Sequence, residues 1–373
     1  MKVFHLITHF DLGGAERVAA NIAESATPGM EYHVVEILRG SSAYTPKLIA
    51  ELVSAGVRCH RSLLPDVNYH FLVQRLAALL FPLRMLYIML RYRPDVIHTH
   101  TETPDLSLYV AARALPWLFR HVRIVRTIHN TRLWTGLSRI AGHVERFFQQ
   151  RNANIAISDS VRNAYAARFG TVVATVPPII HNGVGQVPQQ SYPGLPEGKV
   201  NILFAGRLEP QKGIAVLCDV VRAMRDDPRY HFVIAGDGSL RQLVETTLQG
   251  DGSTGGALKN VDFVPPIYSL ASYMSSFDYL FMPSEFEGLS MLSMEASINR
   301  LPVIANRAPG LSDTLPADWP LMVGGNSLDA YLHLFRDIIP SCDRHQLADR
   351  ARQFAIANFS IRHMQEEYER TYR

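Results

Sequence analysis

The sequence predicts an α/β protein of two doubly wound, Rossmann-like parallel-sheet domains. Three observations point there. Strand-like runs rich in Val and Ile alternate with helix-like runs along the 373 residues. The alternation stops once, across a Pro-, Gly- and Gln-rich stretch at 181–199, and then begins afresh. Glycines stand where strands hand over to helices, which leaves room for a ligand against the backbone.

In the first series, residues 3–8, 32–38, 95–98, 123–128, 154–157 and 172–180 read as strands, and 13–25, 69–91, 134–150 and 160–169 as helices. The strands are continuously apolar, as in a sheet covered on both faces. In the second, 200–205, 230–235, 260–264, 278–282 and 302–305 read as strands, and 213–225, 240–248, 267–276 and 289–299 as helices. Helical segments close the chain. The Gly/Ser patch at 250–256 reads as a loop. The domains fall at 1–185 and 200–357, with 186–199 as linker. A closing helix at about 358–373 is expected to pack back on the first domain. Two such sheets joined by one linker would face each other across a cleft, with ligand sites outside their C-terminal strand ends.

Composition narrows the class. The chain is 47% hydrophobic and 19% charged, which is that of a folded protein. Cys59, Cys218 and Cys342 lie far apart without metal-like spacing and read as buried thiols in a reducing, cytoplasmic setting. Asp11 ends the short apolar run at the N-terminus and no cleavage-like site follows, so no leader is read there. The longest apolar stretch, 71–90, is interrupted by Gln74, Arg75 and Arg84 and is not read as a membrane span.

The net charge of +3 is unevenly spread. Residues 1–185 hold 20 Lys and Arg against 12 Asp and Glu; residues 186–373 hold 17 against 22. Between Leu106 and Val144 there are six arginines and no acid. A basic half suits an anionic partner such as a lipid surface or lipid pyrophosphate, or it is a solvated arginine-rich face. Residues 69–93 carry Arg75, Arg84, Arg91 and Arg93 but no acid. They form either an amphipathic helix lying on an anionic bilayer or a core helix.

Four motifs carry the chemistry. Gly206-Arg207-Leu208-Glu209-Pro210-Gln211-Lys212-Gly213 places two cations between two glycines after a strand, which suits a diphosphate. Its bland alternative is a surface loop with incidental charge. Glu285-Phe286-Glu287-Gly288-Leu289 with Glu295 places two carboxylates about a glycine turn, where they can accept hydrogen bonds from a ligand's hydroxyls. Gly236-Asp237-Gly238 is a tight turn explained equally by structure or by backbone contact with a ligand. Asp11-Leu12-Gly13-Gly14-Ala15-Glu16 precedes a helix but is no GxGxxG fingerprint, and no P-loop exists, which counts against an ATPase. His98, His100 and His129 close consecutive strands of the first half, where catalysis would want them. No DxD pair is present to hold a divalent ion, so no metal or other cofactor is expected. Arg207 and Lys212 would neutralise a leaving diphosphate instead.

These pieces resemble glycosyltransferase family 4, retaining enzymes of the GT-B fold. The matching segments run from Gly13-Gly14-Ala15-Glu16 through Pro94-Asp95-Val96-Ile97-His98-Thr99-His100, Thr127-Ile128-His129-Asn130, Ile157-Ser158-Asp159-Ser160 and Asn182-Gly183-Val184. They continue through Gly206-Arg207-Leu208, Lys212-Gly213, Gly236-Asp237-Gly238 and the Glu287/Glu295 pair. The resemblance implies a first domain that holds the acceptor and a second that holds a nucleotide-sugar donor. Arg207 and Lys212 would grip the donor diphosphate. Glu295 would bind the ribose and Glu287 the donor sugar, with backbone N–H groups of Phe286, Gly288 and Leu289 facing sugar or phosphate. Gly13, Gly14, Gly206 and Gly236 would line the donor site. His129 matches the active-site histidine, and Glu16 and His100 the acceptor side. The sequence departs from the family at Arg300, where a glycine is usual, at 308–313, which has one glycine and Asp313, and at Gly185, where an aspartate is common. The implied function is retaining, metal-independent transfer of a sugar, most simply from a UDP-sugar, to a glycan or lipid-linked acceptor in bacterial surface polysaccharide or lipopolysaccharide synthesis. The setting would be cytoplasmic, with peripheral contact on an anionic membrane and no nucleic acid partner. The rivals are an epimerase or phosphorylase on the same fold, or a non-catalytic nucleotide-sugar binding subunit. The intact Arg207, Lys212, Glu287 and Glu295 argue against the last.

Overall fold

The computed structural model describes residues 1–11, 13–65, 71–134, 138–170, 176–249 and 258–373. Leu12, the helix start expected at 69–70, positions 135–137 of another expected helix, 172–175 of an expected strand and the 250–256 patch lie outside the described residues. The chain divides into two compact units, Met1–Gly183 with Ser360–Arg373, and Val184–Phe359. The stretch 186–199 therefore lies within the second unit.

Unit 1 alternates β1 (Lys2–Ile7), α1 (Gly14–Glu24), β2 (Glu31–Glu36), α2 (Thr45–Ser54), β3 (Arg58–His60), α3 (Phe71–Tyr92), β4 (Val96–Thr99), α4 (Glu102–Ala114), β5 (Arg123–Ile128), α5 (Ser138–Gln149), β6 (Asn154–Ala156) and α6 (Asp159–Phe169). Unit 2 follows with β7 (Val200–Ala205), α7 (Ile214–Ala223), β8 (Tyr230–Ala235), α8 (Arg241–Gln249), β9 (Val261–Val264), β10 (Tyr279–Met282), α9 (Met291–Ile298), β11 (Val303–Asn306), β12 (Met322–Val323), α10 (Leu328–His333) and α11 (Arg344–Asn358). The last helix, α12 (Ile361–Tyr372), belongs to unit 1.

Each unit is the doubly wound parallel sheet that the alternation predicts. The strand orders are β3-β2-β1-β4-β5-β6 and β12-β11-β10-β7-β8-β9, so both sheets reverse direction beside their first strand. Every described strand pair is parallel. All six residues of β8 are buried, as are the five of β1 after Lys2, because helices cover both faces. Side-chain caps start several helices. Ser158 Oγ accepts from Val161 N–H, Ser290 Oγ from Ser293 N–H, and Asp343 from His345 and Gln346 N–H.

The structure differs from the sequence expectation at several points, among them 267–276, where the expected helix is a 3-10 helix over Leu270–Ser276. No strand forms in the described part of 172–180; only Ile179 bridges to Ala156, since Pro177 and Pro178 have no N–H to give a ladder. Trp134, where a helix is expected to start, is not helical, with a φ of +56°, and the described part of that helix is Ser138–Gln149. Helices α2 and α4 and the short strands β3 and β12 went unread. Of the thiols expected to be buried, only Cys218 is; Cys59 and Cys342 are half-buried, and all three are free.

The basic stretch is also less basic than its count. Arg126, on β5, is only 1% exposed and sits between two carboxylates. Its Nε donates to Asp105 at 2.7 Å, and its Nη1 and Nη2 donate to Glu145 at 2.6 and 2.8 Å. Trp134 Nε1 and Tyr165 Oη also donate to Glu145, at 2.6 and 2.7 Å. Burial pushes both acids up; at Glu145 these donors outweigh it and hold the carboxyl below its usual range. At Asp105 burial prevails over the Arg126 charge and pushes the carboxyl up to about 7. Arg126→Ala strands both acids in the core and is expected to cost about 3–5 kcal/mol, read as a lower urea midpoint. A stability loss of under a third of that would mean the acids are relieved by water.

Arg300 follows α9 with a φ of +64°, a conformation that glycine adopts without a Cβ penalty. Its guanidinium pairs with Asp349 at 3.1 Å on the surface, where such a pair contributes little. Arg300→Gly should therefore stabilise the protein by roughly 0.5–1 kcal/mol, seen as a rise in Tm. A fall in Tm would show that the Asp349 pair outweighs the backbone strain.

Candidate functional site

In unit 2 the candidate residues gather at the strand ends where the sheet order reverses, after β7 and β10. After β7 the chain runs through Gly206 and Arg207 into a single 3-10 turn, Pro210–Lys212. Gly213, at φ +69°, then swings it into α7. After β10, Pro283–Ser290 leads into α9. Three contacts tie these loops together. Glu285 N–H donates to the Gln211 carbonyl at 2.8 Å, Gln211 Nε2 donates to the Phe286 carbonyl at 2.9 Å, and Lys212 Nζ donates to Glu287 Oε1 at 2.6 Å. The ammonium and the carboxylate are both largely shielded, at 18% and 11% side-chain exposure, so their attraction is not simply a surface effect.

Glycines set how closely the loops approach. A Cβ on Gly213 would lie 2.0 Å from the Pro283 carbonyl oxygen, and one on Gly310, at φ +73°, 2.2 Å from that of Glu287. The tight turn at Gly236 has the same explanation: a Cβ there would meet the Gly206 carbonyl oxygen at 2.2 Å. Leu208 N–H also donates to the Asp237 carbonyl at 2.9 Å. Of the two readings open for Gly236-Asp237-Gly238, close loop packing is the one visible in the geometry.

The other donor-side candidates surround this junction. Arg207 is exposed beside Glu209. Ser239 donates to Glu209 through N–H and Oγ, holding that carboxyl below its usual range. Gly288 and Leu289 are buried and Phe286 half-buried. Glu287 N–H and Ser290 N–H donate to the Pro309 and Gly310 carbonyls, at 2.8 and 3.0 Å, so the glycine turn is anchored on both sides of Gly288 and Leu289. Glu295 is half-buried on α9, in the helix that follows the Glu287 loop. Sequence reasoning missed the residues that brace the loop from outside. Asn326 Nδ2 donates to the Pro283 carbonyl and to Glu285, Tyr331 Oη donates to Asn326 Oδ1, and Asn306 Nδ2 donates to the Ser284 carbonyl. No spacing marks them; a lone asparagine has no pattern to read.

Unit 1 places its candidates in two groups. Gly13 is the N-cap of α1 and Gly14 its first residue. The Glu16 carboxylate folds over Gly13, lying 2.0 Å from where a Cβ would stand. Glu16 thus sits at the same helix end that was expected to meet a diphosphate, where a negative charge is favoured. The histidines form the second group. His98 is wholly buried, with Tyr372 Oη at 2.8 Å from Nδ1 and Thr127 Oγ1 at 2.7 Å from Nε2. His100 is wholly buried too. Its Nε2 lies 2.7 Å from His5 Nδ1, and its Nδ1 lies 3.1 Å from His129 Nε2. His129 alone of the three is partly exposed. Any influence of His100 on a ligand therefore passes through His129. Directly after His100, Thr101 has φ 143° and ψ 168°, a region essentially reserved for glycine, and its hydroxyl lies 2.8 Å from that of Thr8. Strain held at a strand end beside the histidines is a further mark of a functional site.

His5, His98 and His100 bring ring nitrogens within 4.8 Å of one another, the distance at which a metal ion could be held. The hydrogen bonds above already use five of the six, all but His5 Nε2. No carboxylate belongs to the group to offset an ion's charge in the core.

The comparisons agree on family. Residues 12–185 match the model for Glycosyltransferase Family 4, and 199–335 that for Glycosyl transferases group 1. The chain is 31% identical over 247 residues to the D-inositol 3-phosphate glycosyltransferase of Jonesia denitrificans, covering 58% of this chain and 57% of that protein. It thus spans little more than half the length of that relative. Among solved structures, HepE of Anabaena in complex with UDP has a TM-score of 0.75 at 17% identity, over 100% of this chain and 99% of that one. The lipopolysaccharide outer core galactosyltransferase WaaB, in its apo form, has a TM-score of 0.66 at 15% identity, over 100% and 99%. At those identities the likeness establishes the fold, that of the GT-B glycosyltransferases. Every site residue expected from the sequence lies inside one of the two family matches, and the chain belongs to the group 1, family 4 glycosyltransferases.

Proposed function

We propose that the protein transfers a sugar from a nucleotide diphosphate donor, most simply a UDP-sugar, to a hydroxyl of a glycan or lipid-linked acceptor. The anomeric configuration is retained and no metal ion is needed. One observation carries the reading: Lys212 and Glu287 meet at 2.6 Å where two loops converge on the strand ends of unit 2. A cation suited to a diphosphate and a carboxylate suited to sugar hydroxyls occupy one spot. HepE, which shares the fold, was crystallised with UDP, which supports the choice of nucleotide.

In this reading the bond from the anomeric carbon to the diphosphate oxygen breaks, and the acceptor oxygen bonds to that carbon on the same face. The acceptor proton passes to the departing diphosphate. Arg207 and Lys212 stabilise the charge that develops there, taking the place of a divalent ion. Glu287 orients the sugar and Glu295 the ribose. Lys212→Ala and Glu295→Ala should each weaken UDP binding about 10- to 100-fold by calorimetry. Unchanged affinity in both would move the donor site elsewhere. Conversion of a UDP-sugar to its epimer without any acceptor would replace transfer by epimerisation.

The acceptor side of the proposal places unit 1 on the inner face of a membrane. Helix α3 is the one described helix long and apolar enough to cross a membrane, by length and composition. It buries Ala77, Ala78, Phe81, Met85 and Ile88 in unit 1, so a core face exists as the duller reading required. Its other face exposes Leu72, Leu76, Leu79, Leu80, Leu83, Tyr87 and Leu90, half of all the large exposed apolar side chains described. Arg75 and Arg91 on that helix and Arg93 just beyond it are exposed as well, and the helix has no acid. Arginines alone around an apolar stripe suit an anionic bilayer and disfavour a second copy of the same surface. Flotation with phosphatidylglycerol vesicles should show binding that fades with salt and is lost in a Leu79→Glu, Leu83→Glu double variant. Absence of binding at every salt concentration would remove the membrane from the proposal. The lipopolysaccharide enzyme among the fold relatives fits such an acceptor.

A further inference from the structure

Three imidazoles in unit 1 form a continuous hydrogen-bonded chain. His5 stands on β1 opposite His98 of β4, and its Nδ1 lies 2.7 Å from His100 Nε2. His100 Nδ1 lies 3.1 Å from His129 Nε2, at the end of β5. His5 and His100 have no exposed surface, whereas His129 is partly exposed. The chain therefore runs from the core outward and ends on the one of the three residues that keeps some exposed surface. Burial keeps the rings neutral: it lowers His5 and His129 to about 3, and His100 well below its ordinary value. A neutral imidazole has one N–H and one lone pair, so two bonds along three rings can point in only two ways.

Pointing inward, His129 Nε2–H donates to His100, His100 Nε2–H donates to His5, and His5 is left with a proton on Nε2. That atom is fully buried and has no partner. An N–H stranded in a core is the rarer defect. Pointing outward, His5 Nδ1–H donates to His100 Nε2, and His100 Nδ1–H donates to His129 Nε2. Only a lone pair is then stranded at His5. The remaining proton sits on His129 Nδ1, the nitrogen outside the chain. The strained backbone at Thr101 and its hydroxyl contact with Thr8 fix the turn that carries His100, which keeps the middle ring in place.

We propose that His5 and His100 are positioning residues that lock His129 in its Nδ1–H tautomer, so that His129 offers a fixed hydrogen-bond donor to an oxygen of its ligand. What that oxygen belongs to rests on the glycosyltransferase reading, under which it is a hydroxyl of the donor sugar. The tautomer itself does not depend on that reading. A donor whose proton is set from behind needs no reorientation when ligand arrives.

The test is a two-bond 15N–1H correlation spectrum of the full-length, 15N-labelled protein at neutral pH, with His129 assigned from its loss in His129→Gln. The expected result is a protonated-type Nδ1 and an unprotonated-type Nε2. His5→Phe, which keeps an aromatic ring but removes the inner donor, should mix the two His129 tautomers and lower kcat about 3- to 10-fold. UDP affinity should be unchanged. His5→Asn, whose amide N–H replaces Nδ1–H, should restore both the tautomer and kcat. Should His5→Phe fail to fold, the wild-type spectrum and His5→Asn still decide. An Nε2–H tautomer of His129 in the wild type would overturn the inference. So would unchanged tautomers in folded His5→Phe. A large rise in Tm with zinc, reversed by chelator, would overturn it too, because a metal would take the lone pairs the chain needs. Failure of the glycosyltransferase reading has a separate signature: the wild type would bind no UDP while its His129 tautomer stayed as described.

Discussion

Backbone resting on backbone is the constraint on which the donor-side geometry of unit 2 depends. The loops after four neighbouring strands, β11, β10, β7 and β8, touch in sequence through glycines with no side chain between them. Gly310 meets Glu287, Gly213 meets Pro283, and Gly236 meets Gly206. Only because these loops are so close can Lys212 reach Glu287 and Gln211 bond to both sides of the opposite turn. A glycine motif beside a strand is easily taken for a place where ligand meets backbone. Here much of its work is to let one loop meet another, and the charged side chains inherit their positions from that packing.

Unit 1 solves the same problem with buried polar groups instead of glycines. The segment after β5 is held at both ends. His129 is bonded to His100, and Trp134 is bonded through its indole to Glu145, which is itself held by Arg126. Breaking a buried pair is far costlier than forming it is helpful, so such groups fix one arrangement more than they add stability. The Arg126 cluster therefore belongs to the support of the candidate site, even though none of its members is expected to touch a ligand.

The period of the chain was legible where it was long and apolar. Every strand of five or more residues was readable from Val and Ile runs, and so was the restart after 181–199. The two-residue β12 and three-residue β3 were too short to have a period, and Pro177 and Pro178 spoiled an apolar run that looked like another strand. The motif residues of unit 2 were legible as neighbours in sequence, yet their pairing was not. Nothing in the spacing of Lys212 and Glu287 says that one bonds the other. Burial was the weakest point. Arg126 counted as surface charge and His98 as a catalytic candidate, because a sequence shows a residue's chemistry but not the partners that make it affordable inside.

The final helix has a bearing on how the chain comes to be folded. Tyr372 bonds His98, Tyr368 lies 2.9 Å from Thr127, Gln365 bonds Tyr32, and Glu369 accepts from Thr27. All of these partners precede residue 184, whereas α12 follows the whole of unit 2 in sequence. Until α12 is made, then, these polar groups of unit 1's interior have no cover. The part made first is closed only by a segment made after the whole of unit 2.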